Sequence, residues 1–309
     1  MKLVKGFLIG VLVCVCQLVV AQQRPVFSTY PYNGLALNPA YAGSLNLFSA
    51  ILTNRNQWVN IDGAPVYQSL TAHTTLREKN VGVGLNVVRD AVGVHEQYSV
   101  YGSFAYKIRM NKGILAMGLQ GGFDQRTSNL DRVNVLTQDD PLFVFSKTFN
   151  PNFGMGIYFA NRDYFIGASI PYFLTPEVIE GSGDGAIPSE GKASRYYYIN
   201  AGFVKDISRN LKISPSVLVR LQDNSPAAFD INLNFIINEI VYAGVSYRYQ
   251  DSFSLMTQLV LNENFRIGYA YDIPFGSLGT YTAGSHEIFL NYRIPLKFSK
   301  KDGLCPVYF

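Results

Sequence analysis

The chain has little with which to build a reactive centre. Its 309 residues include three histidines and three cysteines, and only 16% are charged, against about 25% in ordinary soluble domains. Cys14 and Cys16 lie in the opening apolar run. Once that run is removed, Cys305 stands alone and no intrachain disulfide can form, even outside the cytoplasm. His73, His95 and His286 are far apart in sequence, without the close spacing of metal ligands. A formal net charge of +4 is too small to mark a nucleic-acid partner. Beyond the opening segment no apolar run approaches the roughly 18 residues of a membrane-spanning helix. These shortages argue against a metalloenzyme, a disulfide scaffold, a nucleic-acid binder and a helical membrane protein.

What is present begins at the first residues. Lys2 and Lys5 precede an apolar run from Gly6 to Val20, closed by Ala21 and followed by the polar Gln22-Gln23-Arg24-Pro25. That order predicts a secretory signal peptide over 1–21, too short and wrongly flanked for a membrane anchor, and a mature chain starting at Gln22. A lipoprotein cysteine at Cys14 or Cys16 fits less well, because bulky Val13 and Val15 stand where a small residue is wanted. The exported part is rich in aromatics and glycine, with 21 Tyr, 21 Phe and 27 Gly in the whole chain.

Residues 22–44 hold Pro25, Pro31 and Pro39 and show no alternation, so they read as an N-terminal arm, periplasmic or plug-like. From Leu45 the chain breaks into segments of about ten residues, the length of a tilted membrane strand. Alternation is plain in several. Phe265, Ile267, Tyr269 and Tyr271 oppose Arg266, Gly268, Ala270 and Asp272, and Phe229, Ile231, Leu233 and Phe235 oppose Ala228, Asp230, Asn232 and Asn234. Period two with one polar face is the mark of a half-buried strand. The segments lie at 45–54, 65–76, 80–89, 97–109, 113–125, 152–160, 163–171, 195–205, 210–220, 227–236, 240–249, 252–262, 264–272 and 284–298. Links after even-numbered segments are short. Those after odd-numbered ones are mostly longer, above all 126–151 and 172–194, with a tight Gln250-Asp251 turn after the eleventh as the exception. The expected fold is therefore all-β: a transmembrane antiparallel outer-membrane barrel of about 14 strands over 45–298, with long extracellular loops and both ends on the periplasmic side. A tail, 299–309, follows. A soluble two-sheet sandwich is the alternative, but it has to bury every apolar face in one core.

The search for chemistry returns little. Ser285-His286 invites a hydrolase reading, yet neighbours in a strand point to opposite faces, whereas a nucleophile needs its base within hydrogen-bond reach. Gly82-Val83-Gly84 and Gly154-Met155-Gly156 lie inside strand patterns and open no helix, so a nucleotide loop is not expected. These glycines, with Gly202, Gly244 and Gly268, suit inward positions that leave room for an arm or bulky neighbours. The Asp184 region lacks the alternating ligands of a calcium loop. No enzyme activity and no cofactor are expected.

Charges on the inward faces are more telling. Arg89, Lys107, Arg109 and Asp124 are candidates, and Arg220, Asp230, Arg248, Arg266, Asp272 and Arg293 form an expected interior network, with Asp230 and Asp272 near enough in strand order to pair with the arginines. Such groups are costly in lipid but tolerable in a wet or filled lumen. Recognition is expected on the loops, where Asp139, Asp140, Phe143 and Phe145 lie in one and Glu177, Glu180, Asp184 and Glu190 in the other. Acidic groups beside aromatics suit a protein-binding rim or a plug folded back into the lumen, with Phe143, Phe145 and Phe149 packed in the barrel mouth.

Gln23 and Phe27 through Asn38-Pro39-Ala40-Tyr41-Ala42-Gly43, then Gln57-Trp58, then Gly268-Tyr269-Ala270-Tyr271-Asp272, resemble the PorP/SprF family of type IX secretion outer-membrane proteins of Bacteroidetes. The resemblance covers essentially the whole mature chain. It implies a non-enzymatic accessory of secretion or gliding. Its implied partners are a secreted substrate or surface adhesin with a C-terminal sorting domain, other machinery components including periplasmic ring proteins, and outer-membrane lipid. A structural anchor for the periplasmic ring and a solute or hydrophobic-compound channel remain alternatives. Asn38, Pro39, Tyr41, Gly43 and Trp58 are the residues expected to order the arm against the barrel.

Overall fold

A computed structural model describes residues 27–76, 80–129, 146–175, 177–180, 187–192, 195–223 and 225–296. Residues 1–21, read above as a signal peptide, the start of the arm and the tail 299–309 lie outside these residues.

The strands run in chain order: β1 (Leu47–Asn56), β2 (Val66–Thr75), β3 (Val81–Val92), β4 (His95–Met110), β5 (Gly113–Ser128), β6 (Ser146–Ala160), β7 (Tyr164–Ile170), β8 (Glu177–Glu180), β9 (Ile187–Lys192), β10 (Tyr196–Phe203), β11 (Lys205–Ser208), β12 (Leu211–Gln222), β13 (Ser225–Ile237), β14 (Val241–Arg248), β15 (Ser252–Val260), β16 (Phe265–Pro274) and β17 (Ser285–Pro295). β11 continues β10 beyond Val204, and both pair with β12, so together they make one stave. β8 and β9 form a separate ribbon within the long link after β7. The remaining strands pair antiparallel with their sequence neighbours, and β1 pairs with β17 from Leu47↔Pro295 to Asn56↔His286. The result is a closed ring of fourteen staves. Closure leaves no open edge in lipid, where each unpaired backbone group is costly.

The side chains show why the ring closes around a polar interior. On β17, Ile288, Leu290, Tyr292 and Ile294 face outward and are exposed, while Glu287, Asn291 and Arg293 face inward and are buried. β1 repeats the rule, with Leu52 exposed and Ser49, Thr53 and Arg55 buried. Apolar outside and polar inside reverses the arrangement of a water-soluble core, and the sandwich alternative falls on that point. Inside, aromatic and aliphatic side chains still cluster. Tyr32 packs with Ile51, Ile236, Tyr242 and Phe289, and Leu35, Ala40 and Tyr41 pack with Ala105, Ala116 and Tyr158.

The rims differ. By the general rule that long links face the cell surface, the rim with 57–65, 129–145, 171–195 and 275–284 is the outer one. Two links expected to be longer are tight turns instead, because β3, β4, β12 and β13 extend further than their alternation suggested. Gly93-Val94 joins β3 to β4, and residues 223–224 join β12 to β13. With the Tyr249–Asp251 turn, the outer rim is therefore low over β12–β15. It is high over β4, β5 and β6, which have 16, 16 and 15 residues against 8 and 9 in β14 and β15.

Candidate functional site

The arm runs through the interior. Residues 27–44 are buried apart from a few half-buried positions. The segment folds as three single turns of 3-10 helix, Tyr30–Tyr32, Gly34–Ala36 and Pro39–Tyr41. Pro31 and Pro39 each stand in the first turn of a short helix, where a missing N–H costs nothing. The Asn38 side chain caps the third helix by accepting from the Ala40 N–H at 2.9 Å.

The arm starts at the outer end. The Ser28 and Thr29 backbone N–H groups donate to Glu287 at 2.9 and 3.1 Å, and the Thr29 hydroxyl donates to the same carboxylate. The Ser28 hydroxyl donates to Asp272 at 2.7 Å. Arg55 Nη1 binds both acids, at 2.6 Å to Asp272 and 3.0 Å to Glu287. Facing this latch, Asp230 accepts from Arg220 Nη2 at 2.9 Å and from Arg248 Nε at 3.2 Å, and Arg248 also reaches Asp251 at 3.2 Å. The next two tyrosines complete the seat. The Asn232 amide donates to the Tyr30 hydroxyl, and the Tyr32 hydroxyl donates to Asn234 at 2.8 Å.

Further in, Asn38 Nδ2 donates to the carbonyls of Ile157 and Ala168 at 2.9 and 3.3 Å, and the Ser169 hydroxyl donates to Leu37 O at 2.7 Å. The arm backbone lies directly on glycines of the wall. A Cβ at Gly118 would stand 2.2 Å from Ala40 N, and one at Gly82 only 2.0 Å from Ala42 O. Near the inner end Gly43, at φ +68°, accepts from Lys107 Nζ at 2.8 Å and from the Thr75 hydroxyl at 2.6 Å, and its N–H donates to His73 Nδ1 at 3.2 Å. Tyr41 stacks edge-on against His73 and Tyr158. The chain then enters β1 at the inner rim.

Four of the five residues read from sequence as ordering the arm, Asn38, Pro39, Tyr41 and Gly43, lie in the arm itself. Trp58 does not. It sits at φ 51° in the outer link after β1, where its N–H donates to the Ser285 hydroxyl at 3.2 Å, at the start of β17, and its carbonyl accepts from the Ile61 N–H at 3.2 Å. The interior charges divide by depth. Arg220, Asp230 and Arg248 meet, and Asp272 joins Arg55. Arg266 and Arg293 lie towards the inner ends of β16 and β17 and form no ion pair among the described residues. Proximity in strand order ignored this, since Arg266 and Asp272 are about 20 Å apart along one strand. Arg109 shares the face of Lys107 on β4 but is exposed at the rim, whereas Arg89, read as inward, falls on the outward face of β3 with Leu85 and Val87 and pairs with Glu96.

Sequence reading missed Arg55 and Glu287, although alternation places them on the inward faces of β1 and β17 with Thr53 and Phe289. Asp139, Asp140, Phe143, Phe145 and Asp184 lie outside the described residues. Glu177, Glu180 and Glu190 are placed by their backbone alone, in β8 and β9. Among the described residues no three metal-ligating side chains come together. Ser285 is buried and faces inward, while His286 bonds the Tyr269 hydroxyl at 2.6 Å, so the two do not form a catalytic pair.

Solved outer-membrane structures are similar in outline. Omp33 of Acinetobacter baumannii is 7% identical over 81% of this chain and 99% of its own, with a TM-score of 0.48. The toluene transporter TodX of P. putida is 10% identical over 83% and 92%, at 0.49, and the CymD monoaromatic hydrocarbon channel 10% over 84% and 91%, at 0.48. Likenesses this distant say nothing about function. Among curated proteins none matches the chain. Residues 19–292 match the family described as type IX secretion system membrane protein PorP/SprF. With its closed barrel and greasy exterior, the chain is an outer-membrane protein of that machinery and belongs to the PorP/SprF family.

Proposed function

We propose that this protein is a non-enzymatic, plugged barrel that binds the C-terminal sorting domain of an exported protein at its outer rim and helps deliver or anchor that protein at the surface. The observation that carries this reading is the arm. A lumen threaded by the arm from the outer latch to the inner mouth suits a rigid platform better than a conduit, and it moves recognition to the rims. The uneven outer rim supports a docking role, since the wall over β4–β6 stands across the mouth from the low turns of β12–β15 and leaves a stepped surface against which a folded domain can lean. Exposed aromatics at that level, Phe149 at 63% and Tyr281 at 75%, suit protein contact. The link 172–194, with the β8–β9 ribbon, is the first candidate dock.

Co-purification of the barrel with its exported partner tests this. Deletion of 172–194 is expected to abolish recovery of the partner while the barrel stays heat-modifiable on gels; undiminished recovery overturns the assignment to that link. Planar-bilayer recording separates platform from channel. The intact chain is expected to be silent, and steady conductance would favour solute transport.

A further inference from the structure

The outer arginines of the lumen meet carboxylates, whereas Arg266 and Arg293 at the inner end meet none among the described residues. Arg266 stands directly across from Asn291, and Arg293 lies two positions further along the same face of β17. Gln258 is on β15, across from Gly268 and diagonal to Arg266, with Tyr242 opposite it on β14. Cross-strand and diagonal neighbours on one face are within reach of long side chains. The five residues therefore form one patch of the inner wall, next to the turn 261–264.

Within that patch the polar atoms lacking partners are mostly donors. Arg266 Nε and Nη1, Arg293 Nη2, Gln258 Nε2 and Asn291 Nδ2 are all buried with no hydrogen-bond partner among the described residues, and Gln258 Oε1 is the one acceptor in that state. Arg293 is 3% exposed. Arg266 is half-buried and leaves the patch open to the inner mouth. Water could take up the donors, but it leaves two neighbouring cations uncompensated in a poorly solvated place, which is expensive. An oxyanion satisfies the donors and the charge together, and the guanidinium fork matches its geometry.

We propose that this inner mouth is a binding site for an oxyanion group, a carboxylate or a phosphate, gripped by Arg266 and Arg293 with Gln258 and Asn291 as neutral donors. This goes beyond the docking role at the outer rim and is independent of it. The group can come from two sources. One is a free anion or anionic ligand arriving at the inner mouth. The other is this chain's own tail, since 297–309 follow β17 and include Asp302.

Calorimetric titration of the detergent-purified full chain with inorganic phosphate and with acetate, at fixed ionic strength, tests the site. Saturable binding is expected in the parent chain or in the full-length tail variant Asp302→Asn. The pair Arg266→Gln and Arg293→Gln, introduced into whichever chain binds, is expected to weaken that binding by about tenfold or more, and Arg109→Gln at the rim to leave it unchanged. Heat-modifiability on gels confirms that each variant folds. If the tail variant binds about tenfold tighter than the parent, the tail is the resident group; equal affinity assigns the site to an external anion. Absence of saturable binding in both parent and tail variant, or unaltered affinity in the folded double-arginine variant, overturns the proposal.

Discussion

At the outer end of the lumen Arg55, Arg220 and Arg248 each meet a carboxylate, whereas at the inner end Arg266 and Arg293 meet none among the described residues. The same residue type sits in the same barrel, within the same kind of strand, on two different electrostatic terms. At the outer end the carboxylates do double duty. Asp272 and Glu287 neutralise Arg55 and also accept from Ser28 and Thr29, so charge balance and arm attachment are one structure. At the inner end the arm is held by its own carbonyl and N–H at Gly43, through Lys107, Thr75 and His73, and the two arginines are left for another purpose. A buried charge paired on both sides stiffens a structure; one without a counter-ion carries an uncompensated desolvation cost.

This contrast predicts unequal responses to mutation. Arg55→Met leaves Asp272 and Glu287 as facing buried carboxylates, and breaking a buried pair costs about 3–5 kcal/mol. Unfolding of the liposome-reconstituted variant in urea should show that loss, together with protease cleavage near Ser28. A change no larger than a surface ion pair's, under about 1 kcal/mol, would mean that the latch is not what secures the arm. Gly118→Val presses a side chain into Ala40 from the wall. Overpacking of this kind costs about 1–3 kcal/mol, and planar bilayers should register ion flow as the arm is displaced. Asn38→Ala removes the cap and the bonds to Ile157 and Ala168, and should lower stability by about 1–2 kcal/mol with the bilayer still silent. Arg293→Gln should be the mildest, within about 0.5 kcal/mol of the parent or slightly stabilising in buffer without oxyanions, because it relieves repulsion from Arg266. A destabilisation there as large as that of Arg55→Met would erase the distinction between the two ends.

Much of this molecule was legible beforehand for a simple reason. In β16 and β17 the outward side chains meet lipid and the inward ones do not, so period two is written into the residues themselves. The staves, their number and their facing followed from that. The ends of strands did not. β3, β4, β12 and β13 run on into their turns because backbone pairing continues after the apolar signal stops, and the links Gly93-Val94 and 223–224 came out shorter than expected. Trp58 shows a different limit. Its place beside a recognisable motif suggested the arm, but a residue at the outer end of β1 is a barrel length from the inner end of the arm and is tied to β17.

Alternation alone determined that the chain forms a closed, lipid-facing ring with a polar interior, since a transmembrane sheet with one greasy face has no other stable arrangement. Depth within the lumen was decided only in three dimensions. Which arginine meets which carboxylate, which glycines receive the arm, and that the arm runs from the outer latch to the inner mouth all depend on stagger between strands far apart in sequence, and no local pattern encodes that stagger.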